Sequence, residues 1–265
     1  MSRLSDTSKA GVLVISHGSR SPVWVERVDR AVADVGWTGA VPVVSSFLEI
    51  VEGRLIQDGI DTLEAQGVTD LIVVPLFVSY GSTHVDEIRW ALGDLPRPSS
   101  ETDLQPFRLN ARVWICPPLD DDPVVAEIMY EHIRDLSVRP EREAVLLIGH
   151  GSDLPFFYSR WKRGMERVAA DLKELGGFAE VRSALLLPDE TADVLGSWKQ
   201  ELPERDVIAA PLFLSEGYFT ERVIPDRLGG RGCRYNGRAL LPHRGISRWM
   251  ERQIVEMMDK AGLRV

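Results

Sequence analysis

The chain is short of cysteine: only two occur in 265 residues. Cys116 and Cys233 fall outside any metal-binding or redox spacing, which points to a reduced setting. Long apolar runs are also missing. No stretch approaches the roughly 20 apolar residues of a membrane span, and the first ten residues are polar, without the apolar core of a secretory leader. Positive charge is scarce as well. Thirty-one Lys and Arg against 40 Asp and Glu give a net charge of −9, which disfavours a nucleic-acid or anionic-membrane surface. Neither Gly-x-x-x-x-Gly-Lys nor Gly-x-Gly-x-x-Gly follows a predicted strand, so the nucleotide-cradling loops are excluded. The expectation is a soluble, cytoplasmic monomer with neither nucleic acid nor membrane among its partners. Its 44% apolar content is enough for an ordinary core.

What the chain does have, it has twice. Residues 12–19 read Val-Leu-Val-Ile-Ser-His-Gly-Ser, and 133 positions later residues 145–152 read Val-Leu-Leu-Ile-Gly-His-Gly-Ser. Residues 75–81 read Pro-Leu-Phe-Val-Ser-Tyr-Gly, and 136 positions later residues 211–217 read Pro-Leu-Phe-Leu-Ser-Glu-Gly. A period this long marks a duplicated domain, not a solenoid. Short apolar runs at 12–15, 41–47, 71–78 and 111–115, and again at 144–148, 181–187, 207–214 and 239–241, predict strands covered on both faces. Helical stripes lie between them. One carries Val25, Val28, Val32 and Val35 behind Ser21-Pro22, and another opens at Asp122-Pro123. The pattern predicts an α/β fold of two similar doubly wound parallel-sheet domains, residues 1–137 and 144–265, joined by a polar linker at 138–143.

Ligands of such sheets bind beyond the carboxyl ends of the strands. Three chemically capable residues of the first half fall there: His17, Glu49 and His84. Two neutral imidazoles and a carboxylate, with open positions, suit a divalent Fe, Co or Ni ion. The duplicate sharpens the choice. His150 matches His17, but an offset of 136 puts Thr220 opposite His84, and Leu187 stands opposite Glu49. The first domain is therefore expected to carry the site and the second a degenerate copy. A histidine-type phosphatase needs an arginine immediately before its first His, and here that residue is Ser16. Trp24, Trp90, Trp161 and Trp198 each fall within a helical pattern and read as core.

Taken in order, Ser-His-Gly-Ser-Arg, Ser-Phe-Leu-Glu and Pro-Leu-Phe-Val followed by Gly-Ser-Thr-His resemble the class II chelatases of the CbiX/SirB type. The likeness spans both halves, as in members built from two fused copies of a short form. It implies an enzyme that inserts Co²⁺, Fe²⁺ or Ni²⁺ into sirohydrochlorin or a related tetrapyrrole, for siroheme or cobalamin biosynthesis. No cofactor is implied beyond that ion. It also implies that His17 and His84 bind the metal and accept pyrrole protons, with Glu49 assisting. The substrate would be a flat polyacid, and Arg20, Arg54, Arg89 and Arg222 are candidates to pair with its carboxylates. The chain departs from the family in two ways. The usual Asp-Ile-Pro after the second His is absent, an Ile-Pro appearing instead at Ile224-Pro225, and there is neither a His-rich tail nor a cysteine cluster. Metal and tetrapyrrole stay open. The alternative is a non-catalytic tetrapyrrole or metal carrier on the same scaffold, although a carrier needs no base.

Overall fold

The computed structural model describes residues 8–36, 41–201 and 204–263. Strands and helices alternate through the first half: β1 (Ala10–Ser16), α1 (Pro22–Ala33), β2 (Val43–Phe47), α2 (Ile56–Ala65), β3 (Asp70–Pro75), α3 (Thr83–Ala91) and β4 (Arg112–Ile115). The rest follows as α4 (Pro123–Ile133), β5 (Glu143–Gly151), α5 (Pro155–Gly176), β6 (Glu180–Leu187), α6 (Thr191–Glu201), β7 (Asp206–Pro211), α7 (Ile224–Leu228) and α8 (Arg244–Ala261). Every strand pairing is parallel. One sheet has the order β2-β1-β3-β4 and the other β6-β5-β7. The two parallel-sheet α/β domains of the sequence reading are present. Among the described residues no helix is long and apolar enough to cross a membrane.

Local chemistry sets the element ends. Ser21 Oγ accepts from the Trp24 amide at 3.4 Å, and Pro22 opens α1. The Asp122 carboxylate accepts from the Val124 amide at 3.1 Å, and Pro123 opens α4. Each cap satisfies an amide that the helix itself leaves unpaired. The apolar stripe of α1 then buries Val28, Ala31 and Val32, while β1 and β3 are buried along their whole length.

One expected strand is missing. Residues 239–241 make no ladder, and among the described residues that edge is joined by two isolated parallel bridges, Ile208–Arg234 and Ser215–Leu241. The approach is rich in glycine at positive φ (Gly229, Gly230, Gly232 and Gly237), and Pro242 has no amide to donate.

Packing divides the chain differently from the repeat. One compact unit gathers the residues up to Phe77, Thr83–Pro118 and everything from Arg244 on; the other holds Val78–Ser82 and Leu119–His243. In the first unit α8 lies on β3, β4 and α1. There it buries Trp249 and Met250 and donates from Ser247 Oγ to the Ala31 carbonyl at 2.9 Å. In the second unit α4 packs along α5. A division at 1–137 and 144–265 describes the sequence repeat, and the packing units cross it through α4 and α8.

Candidate active site

In the first sheet the chain runs outward from β1 to β2, then returns past β1 to β3. The two following connections therefore leave β1 and β3 in opposite directions, which opens a crevice at their carboxyl ends. His17 follows β1 directly, and His84 lies in the first turn of α3, the helix that follows β3. Their rings meet edge to face with centroids 4.7 Å apart. Glu49 follows β2, and its Oε1 is 3.5 Å from His17 Nε2.

The glycine of the His-Gly-Ser motif makes this approach possible. Gly18 sits at φ +105°, and a Cβ there would lie 2.2 Å from the Glu49 carbonyl oxygen. Without a side chain the β1 end can lie flat on the β2 end, where the Leu48 amide donates to the Ser16 carbonyl at 2.8 Å and the Glu49 amide to the His17 carbonyl at 3.2 Å. The next turn is strained. The Val51 amide donates to the Glu49 carbonyl at 2.9 Å around Ile50, which holds φ +73°. A β-branched residue in this form of γ-turn is uncommon, and such strain gathers at functional sites. Gly81, from the second motif, is excused a side chain for another reason: a Cβ would lie 2.3 Å from the Trp161 indole.

Each imidazole is anchored at Nδ1. His17 Nδ1 donates to the Gly18 carbonyl at 3.0 Å, and His84 Nδ1 donates to Glu87 Oε1 at 2.6 Å. Both acceptors lack a proton to give, so in each neutral ring Nε2 keeps its lone pair. Glu87 is itself held: its Oε2 accepts from Thr102 Oγ1, and its side chain is 17% exposed. Burial alone would push this carboxyl up, but the hydrogen bonds from His84 and Thr102 outweigh it and keep Glu87 below the ordinary carboxylate range.

The three expected residues lie in a row, Glu49 beside His17 and His17 beside His84. Among the described residues no three His, Cys, Asp or Glu side chains stand together as a ready metal-holding set. Glu49, His17, His84 and Glu87 instead form a chain of neighbouring contacts, with the two imidazoles in the middle. Glu87 is not among the residues expected from strand-end position. Its signal was the spacing of three from His84 on one helix face.

The arginines divide. Arg54 grips Asp29 with both terminal nitrogens, at 2.6 and 2.8 Å, and lies 4.8 Å over the Phe47 ring. Arg89 is paired with Asp94 at 2.6 Å. Both guanidiniums are thus already paired with carboxylates of the chain itself. Arg20 and Arg222 are exposed.

The second unit reproduces the backbone of the site and replaces its chemistry. His150 Nδ1 donates to the Gly151 carbonyl at 3.0 Å, and a Cβ on Gly151 would lie 2.2 Å from the Leu187 carbonyl oxygen. Leu187 is thus the counterpart of Glu49, as the sequence offset has it. The next position is Pro188, whose ring fixes φ near −65° and rules out the turn made at Ile50. The ring facing His150, edge to face at 4.9 Å, belongs to Phe219. Phe219, and not Thr220, therefore stands where His84 stands, because this loop is one residue shorter.

The CbiX family model matches residues 11–136 and again residues 144–258. The chain is 28% identical over 138 residues to a sirohydrochlorin cobaltochelatase of Methanopyrus kandleri, covering 47% of this chain and 94% of that protein. It is 27% identical over 174 residues to the sirohydrochlorin ferrochelatase of Bacillus subtilis, covering 65% and 61%. Among solved structures, SirB from Bacillus subtilis with Fe³⁺ matches with a TM-score of 0.73 at 22% identity, over 96% of this chain and 98% of that one. CbiX, described as the terminal enzyme for siroheme biosynthesis in denitrifying bacteria, matches with a TM-score of 0.60 at 19% identity, over 97% and 100%. At these identities the solved structures speak to the fold. With a strand-end imidazole in each half and one family model fitting both halves in turn, the chain belongs to the CbiX family of chelatases, in the form that carries the family's unit twice.

Proposed function

We propose that this protein inserts a divalent ion, Co²⁺ or Fe²⁺ with Ni²⁺ as a third candidate, into sirohydrochlorin or a closely related tetrapyrrole. The observation that carries the reading is the imidazole pair: two rings 4.7 Å apart, each with Nδ1 tied back and Nε2 available. Metal insertion displaces two pyrrole N–H protons, so donors for the ion and acceptors for the protons are needed side by side. Neutral imidazole serves either purpose near physiological pH. Nitrogen donors also favour these ions over Mg²⁺ or Ca²⁺, which prefer oxygen.

An open pair flanked by carboxylates suits an ion that has to be passed on. A closed tetrahedral set would retain it as a structural metal. Glu49, beside His17, would steady a cationic ring or relay its proton to solvent. Arg20, three residues after His17, is the exposed guanidinium of the first unit that we assign to a carboxylate of the polyacid. The metal accepted decides whether the product feeds a siroheme or a cobalamin route.

Purified protein incubated with sirohydrochlorin and each ion, followed by absorbance against the uncatalysed background, tests the reading. Acceleration with Co²⁺, Fe²⁺ or Ni²⁺ is expected. Binding of the tetrapyrrole without acceleration would identify a carrier instead.

A further inference from the structure

We infer that Glu87, supported by Thr102, is the positioning residue for His84: it fixes which ring nitrogen of His84 faces the incoming ion. The inference rests on the metal-insertion reading given above and adds a residue to its machinery. A carboxylate can only accept, so the 2.6 Å contact from Nδ1 requires the proton there and leaves the Nε2 lone pair outward. Unconstrained neutral imidazole prefers the opposite tautomer, with the proton on Nε2 and no lone pair to offer from that atom. Acceptors on the far nitrogen of a metal-binding imidazole generally set its orientation and donor strength.

Three further observations converge on Glu87. Its second oxygen is held by Thr102 Oγ1, which in turn accepts from the Leu104 amide at 3.1 Å, so the carboxylate has little freedom to swing away. Thr102 belongs to the irregular stretch between α3 and β4, which is long for a connection without secondary structure. Acidic side chains fasten that stretch at several points: Asp86 accepts from the Ser99 amide at 2.6 Å, and Glu64 from the Asn110 amide at 2.6 Å. Finally, the second unit supplies an internal control. There Phe219 replaces His84, and the residue three further along the chain is Arg222, not an acid. The acid is present only where there is an imidazole for it to hold. His17 needs no such partner, because its Nδ1 is tied to the carbonyl of the adjoining residue.

The test compares Glu87→Ala, Glu87→Gln and Thr102→Val in the full chain, with folding checked by circular dichroism. Should Glu87→Ala fail to fold, Glu87→Met fills the same space without an acceptor. Nitrogen-15 NMR of the His84 ring in metal-free protein should report a proton on Nδ1 in the wild type and in Glu87→Gln, whose amide oxygen still accepts. In Glu87→Ala the proton should move largely to Nε2. Direct titration with Co²⁺ should show affinity falling about 10–100-fold in Glu87→Ala and by only a few-fold in Glu87→Gln or Thr102→Val. An unchanged tautomer and unchanged Co²⁺ affinity in Glu87→Ala would overturn the inference. If the wild type itself bound no Co²⁺, the metal-insertion reading would fall, while the tautomer comparison would still decide the positioning role.

Discussion

At the scale of single residues, removing either imidazole of the pair should be far more damaging than removing the third strand-end histidine. His17→Ala and His84→Ala are expected to lower metal insertion by about 10²–10⁴-fold, the usual cost of losing a positioned acid–base group. His150→Ala should stay within a few-fold, since Phe219 and Leu187 give that ring neither a second donor nor a carboxylate. Equal losses in folded His84→Ala and His150→Ala would reverse the assignment of the working half. Gly18→Ala tests the geometry beneath the pair. A methyl 2.2 Å from the Glu49 carbonyl oxygen, at φ +105°, should cost about 1–3 kcal/mol in denaturant titrations and displace Glu49 from His17. The adjacency of His17, Glu49 and His84 was legible in the sequence because parallel strands put their carboxyl ends on one edge, and His84 opens the helix that follows β3. Phe219 was not, because a fixed offset cannot register a loop one residue shorter. The engagement of Arg54 and Arg89 was equally invisible, since their partners Asp29 and Asp94 are charged residues like many others.

At the scale of elements, the start of β5 is fixed by a buried charge. The Glu143 side chain is 1% exposed; it accepts from Ser137 Oγ at 2.5 Å, the Val138 amide at 2.8 Å and Arg234 at 2.8 Å. Burial opposes its ionisation, but these donors outweigh burial and hold its pKa down to about 2. The folded value lies below the ordinary 4.5, so the stabilisation is complete above that pH and is lost as pH falls from about 4.5 toward 2. The difference corresponds to about 3 kcal/mol. His132 adds a second window. Burial, then the charges of His243 and Arg238, push it down from 6.5 to about 4. The unfolded chain therefore takes up this proton first, and stability declines as pH falls between about 6.5 and 4. Urea titrations from pH 8 to pH 3 should show both declines. Glu143→Gln should flatten the lower one and His132→Phe the upper; an unaltered profile in either variant would remove that group as the cause. Capped helices such as α1 and α4 could be read from Ser21-Pro22 and Asp122-Pro123 because caps are local. The buried Glu143–Arg234 pair joins residues 91 positions apart, and no local pattern announces it.

At the scale of the whole molecule, the exchange of closing helices makes the sequence repeat a poor guide to what folds alone. A fragment ending at 137 would keep both imidazoles of the pair but lack α8, leaving the faces of α1, β3 and β4 that cover Trp249 and Met250 open to water. Expressed separately, residues 1–137 and 144–265 should each be insoluble or loosely packed, with broad NMR spectra. A cooperatively unfolding 1–137 fragment would contradict the packing division. The α/β class was readable because alternation of strand and helix is local. The destination of α8 was not, since an amphipathic stripe says that a helix has a face to bury without saying against which sheet.

That exchange also sets a clock on synthesis. The ribosome completes β4 at Ile115 and begins α8 only at Arg244. At about 5–20 residues per second the interval lasts roughly 6–25 s. Throughout it the nascent first unit carries His17 and His84 on a sheet whose cover has not yet been made. A chain stalled anywhere in that window presents a half-clad core to chaperones and proteases.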